Sequence, residues 1–235
     1  MRKTIENGLR LFFPYRCPVC DEPVPIGQDI CPECIRQVQF LLPPWCMKCG
    51  KKLQDEGVLC FDCQRLERKF VRGRSLYEYD SVVKSIYRMK YAGRREYAGY
   101  YGREMAKYLG EFIRQVNPDG IVPIPLHRSR ERTRGYNQAE LLAKSMGKCL
   151  GIPVYPDYLV RIKNTRPLKT QNPEERQNNL KKAFIIGRND VKLKQIVLVD
   201  DIFTTGSTID EATVTLLGSG VQKVYFVTLS SGSGD

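Results

Sequence analysis

Long apolar runs are missing from these 235 residues. The most apolar N-terminal stretch, Leu9-Arg10-Leu11-Phe12-Phe13, is interrupted by charge and has no small-residue cleavage site, so it predicts neither a signal peptide nor a membrane span. A cytoplasmic protein without membrane insertion is the expectation. No Gly-x4-Gly-Lys-Ser/Thr occurs, which excludes a P-loop. Histidine occurs once, at His127. Wholesale disorder is excluded by composition, because 42% hydrophobic and 27% charged residues suffice for one good core, or one core and a small satellite.

Cysteine is abundant and unevenly placed. Eight of the nine fall in four C-x-x-C pairs: Cys17/Cys20, Cys31/Cys34, Cys46/Cys49 and Cys60/Cys63. A shift of 29 positions lands the first two pairs on the last two, so the chain repeats one small unit. Two thiolates from one knuckle supply two corners of a tetrahedral zinc, and a second knuckle closes the site against water. Two structural Zn2+ sites are therefore expected ahead of catalytic ones. Redox use of C-x-x-C is disfavoured by its fourfold repetition, and disulfides by the lack of an export signal. Spacing alone leaves the pairing of knuckles open, first with second or first with third.

Charge divides the chain at about the same place. Residues 1–70 carry 11 Lys+Arg and 9 Asp+Glu, whereas 71–235 carry 27 and 17. Eight thiolates and two zinc ions would turn the small excess of the first part negative. The basic part is thus 71–235, where Arg88, Lys90, Arg94 and Arg95 form one group and Arg128, Arg130, Arg132 and Arg134 another. Such a field attracts phosphates, on a nucleotide or along a nucleic acid. The two regions are read as domains, 1–70 with the cysteines and 71–235 with the remainder.

Beyond residue 80 the pattern alternates. Helices are predicted over Ser81–Tyr91, Tyr97–Val116, Gln138–Leu150 and Ser207–Leu217, with Cys149 on the core face of the third. Short strands are predicted at Gly120–Ile124, Ala183–Ile186, Ile196–Val199 and Val224–Leu229. This alternation implies an α/β fold, a mostly parallel sheet flanked by helices, with ligands at the carboxyl ends of its strands.

The stretch IVLVDDIFTTGST, residues 196–208, occupies that position. Asp200 and Asp201 are expected where the buried strand ends. Thr204, Thr205, Gly206, Ser207 and Thr208 then supply hydroxyls and free amides at a helix N-terminus, an anion site. Phosphate in the turn and two carboxylates on vicinal hydroxyls match a ribose 5-phosphate. The plain alternative is a structural strand-turn-helix with an Asp cap.

These residues resemble the 5-phosphoribosyl-1-pyrophosphate (PRPP) motif of type I phosphoribosyltransferases. From Cys17 to Leu229 the chain also resembles the ComF family of competence proteins: a double zinc ribbon, MKYAGR at Met89–Arg94, IVPIPLHRSRERTRGYNQAE at Ile121–Glu140, EERQNN at Glu174–Asn179, and the PRPP motif. The resemblance implies a type I phosphoribosyltransferase fold behind the ribbons. It places a pyrophosphate loop, often strained or cis, at Pro125, Leu126, His127 and Arg128, after the first core strand, with Arg128 and Arg130 neutralising the anion. His127 reads as a loop-positioning group rather than a base, and Asn137 suits a helix cap. Asn164–Asn179 would be a mobile loop carrying Thr165 and Arg176. There Leu168 replaces the middle threonine of the T-x-x-T-x-x-Q that family members often have, while Thr165 and Gln171 remain.

For phosphoribosyl transfer, Mg2+ and arginines stabilise the departing pyrophosphate, while Asp200 and Asp201 bind hydroxyls and stabilise the developing cation. No residue run announces an acceptor pocket. No amidotransferase domain precedes the cysteines, so a full amidophosphoribosyltransferase is not expected. The resemblance further implies work on single-stranded DNA in natural transformation, with Arg88, Lys90, Arg94, Arg95, Arg132 and Arg134 as nucleic-acid candidates and helicase-like or DNA-processing proteins as partners. Tyr87, Tyr91, Tyr97, Tyr100, Tyr101 and Tyr136 admit base stacking or core packing. A phosphoribosyltransferase of nucleotide salvage and a PRPP or nucleotide sensor without turnover are the alternatives. The zinc ribbons also suit docking to a partner.

Overall fold

The computed structural model describes residues 15–25, 27–54, 57–163, 182–187 and 190–232. Thr165, Leu168, Gln171 and Arg176 lie outside them. Two short helices, α1 (Pro32–Gln37) and α2 (Phe61–Arg65), each follow a cysteine knuckle. Then come β1 (Gly73–Glu78), α3 (Tyr79–Tyr91), α4 (Tyr97–Val116), β2 (Gly120–Pro123), α5 (Arg128–Arg134) and α6 (Gln138–Leu150). The chain continues through β3 (Leu159–Arg161), β4 (Phe184–Ile186), β5 (Gln195–Phe203), α7 (Ser207–Gly218) and β6 (Lys223–Ser231).

A four-stranded sheet in the order β1-β6-β5-β2 is parallel throughout. Alternating side chains of β5 feed both faces, as the two-residue period of a strand requires. Val197 and Val199 join the core under α3, α4 and α6, while Ile196 and Leu198 join the core with α7, β3, β4 and the second set of cysteines. Both sheet edges are covered. Gln39–Leu41 hydrogen-bonds to β1 through Leu41 N to Leu76 O and Glu78 N to Gln39 O, both 2.9 Å. Pro153–Tyr155 lies along β2, where Ile121 N reaches Pro153 O and Tyr155 N reaches Ile121 O, again at 2.9 Å. No edge is left to template another strand at these positions.

Several expectations are corrected. β1 escaped the strand pattern because Arg74 and Ser75 interrupt its apolar residues; Ser75 is nonetheless buried, bonded at 2.7 Å to Thr228 of β6. β1 therefore precedes Gly120–Pro123, which is the second strand of the sheet in chain order. The segment at Phe184–Ile186 does not join the parallel sheet but pairs antiparallel with β3. Cys149 is exposed, since it falls beside the buried stripe Ala139, Leu142, Ala143, Met146 and Gly147 on the last turn of α6. Arg128, expected in the pyrophosphate loop, instead begins the helix Arg128–Arg134, with His127 Nδ1 accepting from Ser129 N at 3.2 Å as the cap.

Candidate functional site

The cysteines gather as two closed sets, Cys17 with Cys20, Cys31 and Cys34, and Cys46 with Cys49, Cys60 and Cys63. Pairing is thus first knuckle with second, and third with fourth. Within each set the four sulfurs lie within 4.8 Å of one another, Cys20 and Cys31 at 3.8 Å and Cys49 and Cys60 at 3.6 Å. Four sulfurs at about 2.3 Å from a tetrahedral zinc stand about 3.8 Å apart, so both sets fit the ion. Sulfur–sulfur hydrogen bonds pull Cys46 below the ordinary thiol range and push Cys49 above it. Cys60, raised by Cys46 but lowered more by Cys49 and Cys63, ends at about 6. Cys63, like Cys49, is pushed up, so the protons of these two would have to leave as a metal binds.

At the sheet's carboxyl rim β5 runs further than its apolar residues predict. It continues through both aspartates to Phe203, because Asp200, Ile202 and Phe203 keep their register with Thr228, Ser230 and Ser231 of β6. Phe203 stacks on Phe226 with ring centroids 4.7 Å apart. The expectation that the strand ends before Asp200 is therefore corrected. Since successive side chains of a strand point to opposite faces, the two carboxylates diverge. Asp201, 5% exposed, goes to the α3 face and pairs with Lys90 Nζ at 2.6 Å. Asp200 belongs to the other face, half-buried, with Asp201 N donating to its Oδ1 at 2.8 Å.

Burial and then the Asp201 charge raise the Asp200 carboxyl well above the usual range, against the opposing pull of Lys90. Burial would depress Lys90, but Asp201 and then Asp200 outweigh it and raise the ammonium. Arg161 of β3, missed by the sequence reading, lies within the field of Asp200. Burial and then Arg130 lower it, while Asp200 opposes. It is placed there by the bridge between Arg161 and His127 and by Ile124 N bonding to Val199 O at 2.9 Å, which hold the 124–127 segment between β3 and β5. Arg130 is itself lowered by burial and by the charge of Arg134. Lys90, Arg130, Arg134 and Arg161 thus outnumber the two carboxylates, a balance that suits a polyanion.

The turn after β5 has the predicted form. Gly206 caps α7 with φ 81°, the left-handed region, and a Cβ there would lie 2.8 Å from Phe203 Cζ and 2.9 Å from Arg68 Nη1. Only glycine fits this position without strain. Thr205 and Ser207 share a 3.0 Å hydroxyl bond, and Thr204 is exposed. Among the described residues the cis peptide bond is Pro43-Pro44, not one of Pro125–Arg130, and none of those residues has positive φ.

The nucleic-acid candidates separate. Arg88 donates to Val19 O at 2.7 Å and Cys20 O at 3.3 Å, and Arg94 pairs with Asp21 at 2.9 Å, so both clasp the first cysteine set. Lys90 is taken by Asp201. Arg134 bonds to Gln138 and sits 5.6 Å from the Tyr91 ring centroid, while Arg95, Arg128 and Arg132 are exposed. The tyrosines also split. Tyr97 and Tyr101 are core, whereas Tyr87 and Tyr91 are 61% and 65% exposed with rings 4.9 Å apart. Asn137 caps α6, accepting from Ala139 N at 3.1 Å and donating to Ile124 O at 3.0 Å. No helix among the described residues is long and apolar enough to cross a membrane.

Residues 8–64 match the family described as Double zinc ribbon domain. The chain is similar to Competence protein F of Haemophilus influenzae, 29% identical over 223 residues, which cover 91% of this chain and 95% of that protein. It is similar to Competence protein ComFC of Bacillus subtilis, 29% identical over 203 residues, covering 82% and 80%. DNA utilization protein YhgH of Escherichia coli K12 is 28% identical over 219 residues, covering 91% and 96%.

Proposed function

The chain is a homologue of competence protein F, ComFC and YhgH with a double zinc ribbon at its N-terminal end, and from that premise we propose a PRPP-binding protein serving DNA uptake. One observation carries the ligand: Asp200 and Asp201 diverge at the rim of the sheet, immediately before the Gly206 turn that opens α7. The turn's amides and hydroxyls receive the 5-phosphate, and the half-buried Asp200 receives the ribose diol, while Asp201, turned to the other face, is held by Lys90. Arg130 and Arg161 face the pyrophosphate, together with the Pro125–Arg128 segment. The parallel sheet with its flanking helices and the antiparallel β3–β4 pair supports a type I phosphoribosyltransferase fold.

A hard cation suits the half-buried Asp200 carboxylate, whose charge is disfavoured without one. Mg2+ bound with PRPP would supply neutralisation of the leaving pyrophosphate. Titration calorimetry with PRPP and Mg2+ tests the reading. Wild type binds, and Asp200→Ala/Asp201→Ala loses at least about tenfold in affinity, the scale of lost charge-assisted hydrogen bonds. Equal affinity sinks it.

Single-stranded DNA is the proposed macromolecular partner. The supporting observation is the exposed Tyr87–Tyr91 pair beside Arg134, a surface on which bases could stack, in a chain that also exposes Arg95, Arg128 and Arg132. Fluorescence anisotropy would show binding that weakens steeply with salt and is reduced in Tyr87→Ala/Tyr91→Ala. Salt-insensitive binding, or none, overturns it.

A further inference from the structure

Arg68 follows the last cysteine of the second set by five residues, and its side chain is 2% exposed. One side of its guanidinium is fully engaged. Nη1 lies 2.6 Å from Asp210 Oδ2, and Lys69 N holds the other Asp210 oxygen at 3.2 Å. Asp210 belongs to the first turn of α7, where its own N donates to Gly206 O at 2.8 Å. Nη1 is also one of the atoms that a Cβ on Gly206 would strike, so the guanidinium forms the back wall of the turn.

The other side is different. Nε and Nη2 are buried without a hydrogen-bond partner. Asp62 Oδ2 is 4.0 Å from Nη2, but that oxygen is held at 2.9 Å by Lys51. Leaving two charged N–H groups unmatched in a core is costly unless negative charge stands nearby. Cys63 is that neighbour. It directly follows Asp62, the residue 4.0 Å from Nη2, in α2. Four thiolates around one zinc keep a net double negative charge, which is the counter-charge this side lacks.

We propose that Arg68 is a positioning residue that couples metal occupancy of the Cys46/Cys49/Cys60/Cys63 set to the shape of the Gly206 turn. With zinc in place, the guanidinium is drawn between metal-bound sulfur and Asp210 and presses the turn closed. Emptying the set frees the sulfurs from the cage and disperses that counter-charge, and the turn loosens. The ligand consequence rests on the anion-site reading above, whereas the coupling itself does not.

The test uses the full chain under stepwise chelation. Alkylation of released cysteines reports which set has emptied, and hydrogen exchange reports the amides of 204–210 without PRPP present. In wild type, emptying the second set raises exchange in the turn by about tenfold or more, the scale of one charge-assisted hydrogen bond, while emptying the first set alone leaves it unchanged. In Arg68→Met the turn already exchanges fast at full zinc load, and the second set empties at lower chelator concentration. Should Arg68→Met fail to fold, Arg68→Lys keeps charge without the guanidinium fork and gives an intermediate response. A wild-type turn indifferent to the second set, or an unchanged turn in zinc-loaded variants, overturns the proposal. Coupling that holds while PRPP fails to bind overturns the anion-site reading alone.

Discussion

The two cysteine sets descend from the same spacing, yet they are held to the rest of the molecule by different forces. The first has a small apolar cluster of its own, built from Cys17, Val24 and Cys34. Its attachments are polar: Arg88 to Val19 O and Cys20 O, Arg94 and Tyr97 to Asp21, Ser85 to Pro18 O, and Arg103 to Asp29 at 2.7 Å. The second shares its cluster with β5, α7 and Phe70, Phe203 and Phe226. There the backbones nearly touch. Gly73 N donates to Lys48 O at 2.9 Å, and a Cβ on Gly50 would lie 2.7 Å from Gly73 O. Repetition of a sequence unit therefore conserves a metal cage without conserving how the cage is docked, because docking is decided by the residues outside the cage.

The largest expected effect breaks this contrast directly. Cys46→Ser/Cys49→Ser should lower the Tm of the whole chain by about 8 °C or more, at about 2–4 °C for each kcal/mol, with the parallel sheet still folded, since this set shares its apolar cluster with the main core. Cys17→Ser/Cys20→Ser should lose one zinc with a smaller fall in Tm. Calorimetry with metal analysis distinguishes them, and an equal fall in both variants would remove the contrast.

A smaller effect sharpens it. Arg94→Ala cuts the ion pair that helps hold the first set, and mass-spectrometric hydrogen exchange over 15–25 should rise while Tm falls by no more than about 4 °C, the response to about 1 kcal/mol in a domain of this size. A large loss of Tm would mean that the first set is built into the core after all.

The smallest concerns the face that the second set shares with Asp200. Burial and Asp201 raise the folded-state value of this carboxyl, so the folded protein favours its proton. Stability is then greatest below the unfolded value, about 4, and declines as pH rises through the folded value. Asp200→Asn lacks this decline. Its Tm should exceed that of wild type near pH 8, by about 2–4 °C for each kcal/mol, with the difference shrinking toward acid. A constant difference across that range would assign the effect to something other than ionisation.

Much of this was legible in the order of residues. Knuckle spacing announced both metal sets, and the apolar period located α4 and α6 because each buries one broad stripe. The turn at 204–208 was legible because its glycine and hydroxyls act locally. Lys90 and Arg161 were not, since each reaches Asp201 or Asp200 only through the packing of α3 and β3 against β5. Arg88 and Arg94 were misleading for the same reason. A guanidinium reads as a phosphate ligand until the fold supplies a carbonyl or a carboxylate beside it.

Sequence by itself determined the composition of the cages, the alternating α/β pattern and the glycine turn that opens α7, because each depends on neighbours within a few residues. Tertiary structure alone decided that Asp200 and Asp201 diverge with Lys90 paired to Asp201, which arginines remain exposed, and that Arg68 stands behind the turn on Asp210. Those outcomes depend on charges brought together across more than a hundred residues of chain, as between Arg68 and Asp210. Local pattern carries no record of such distances.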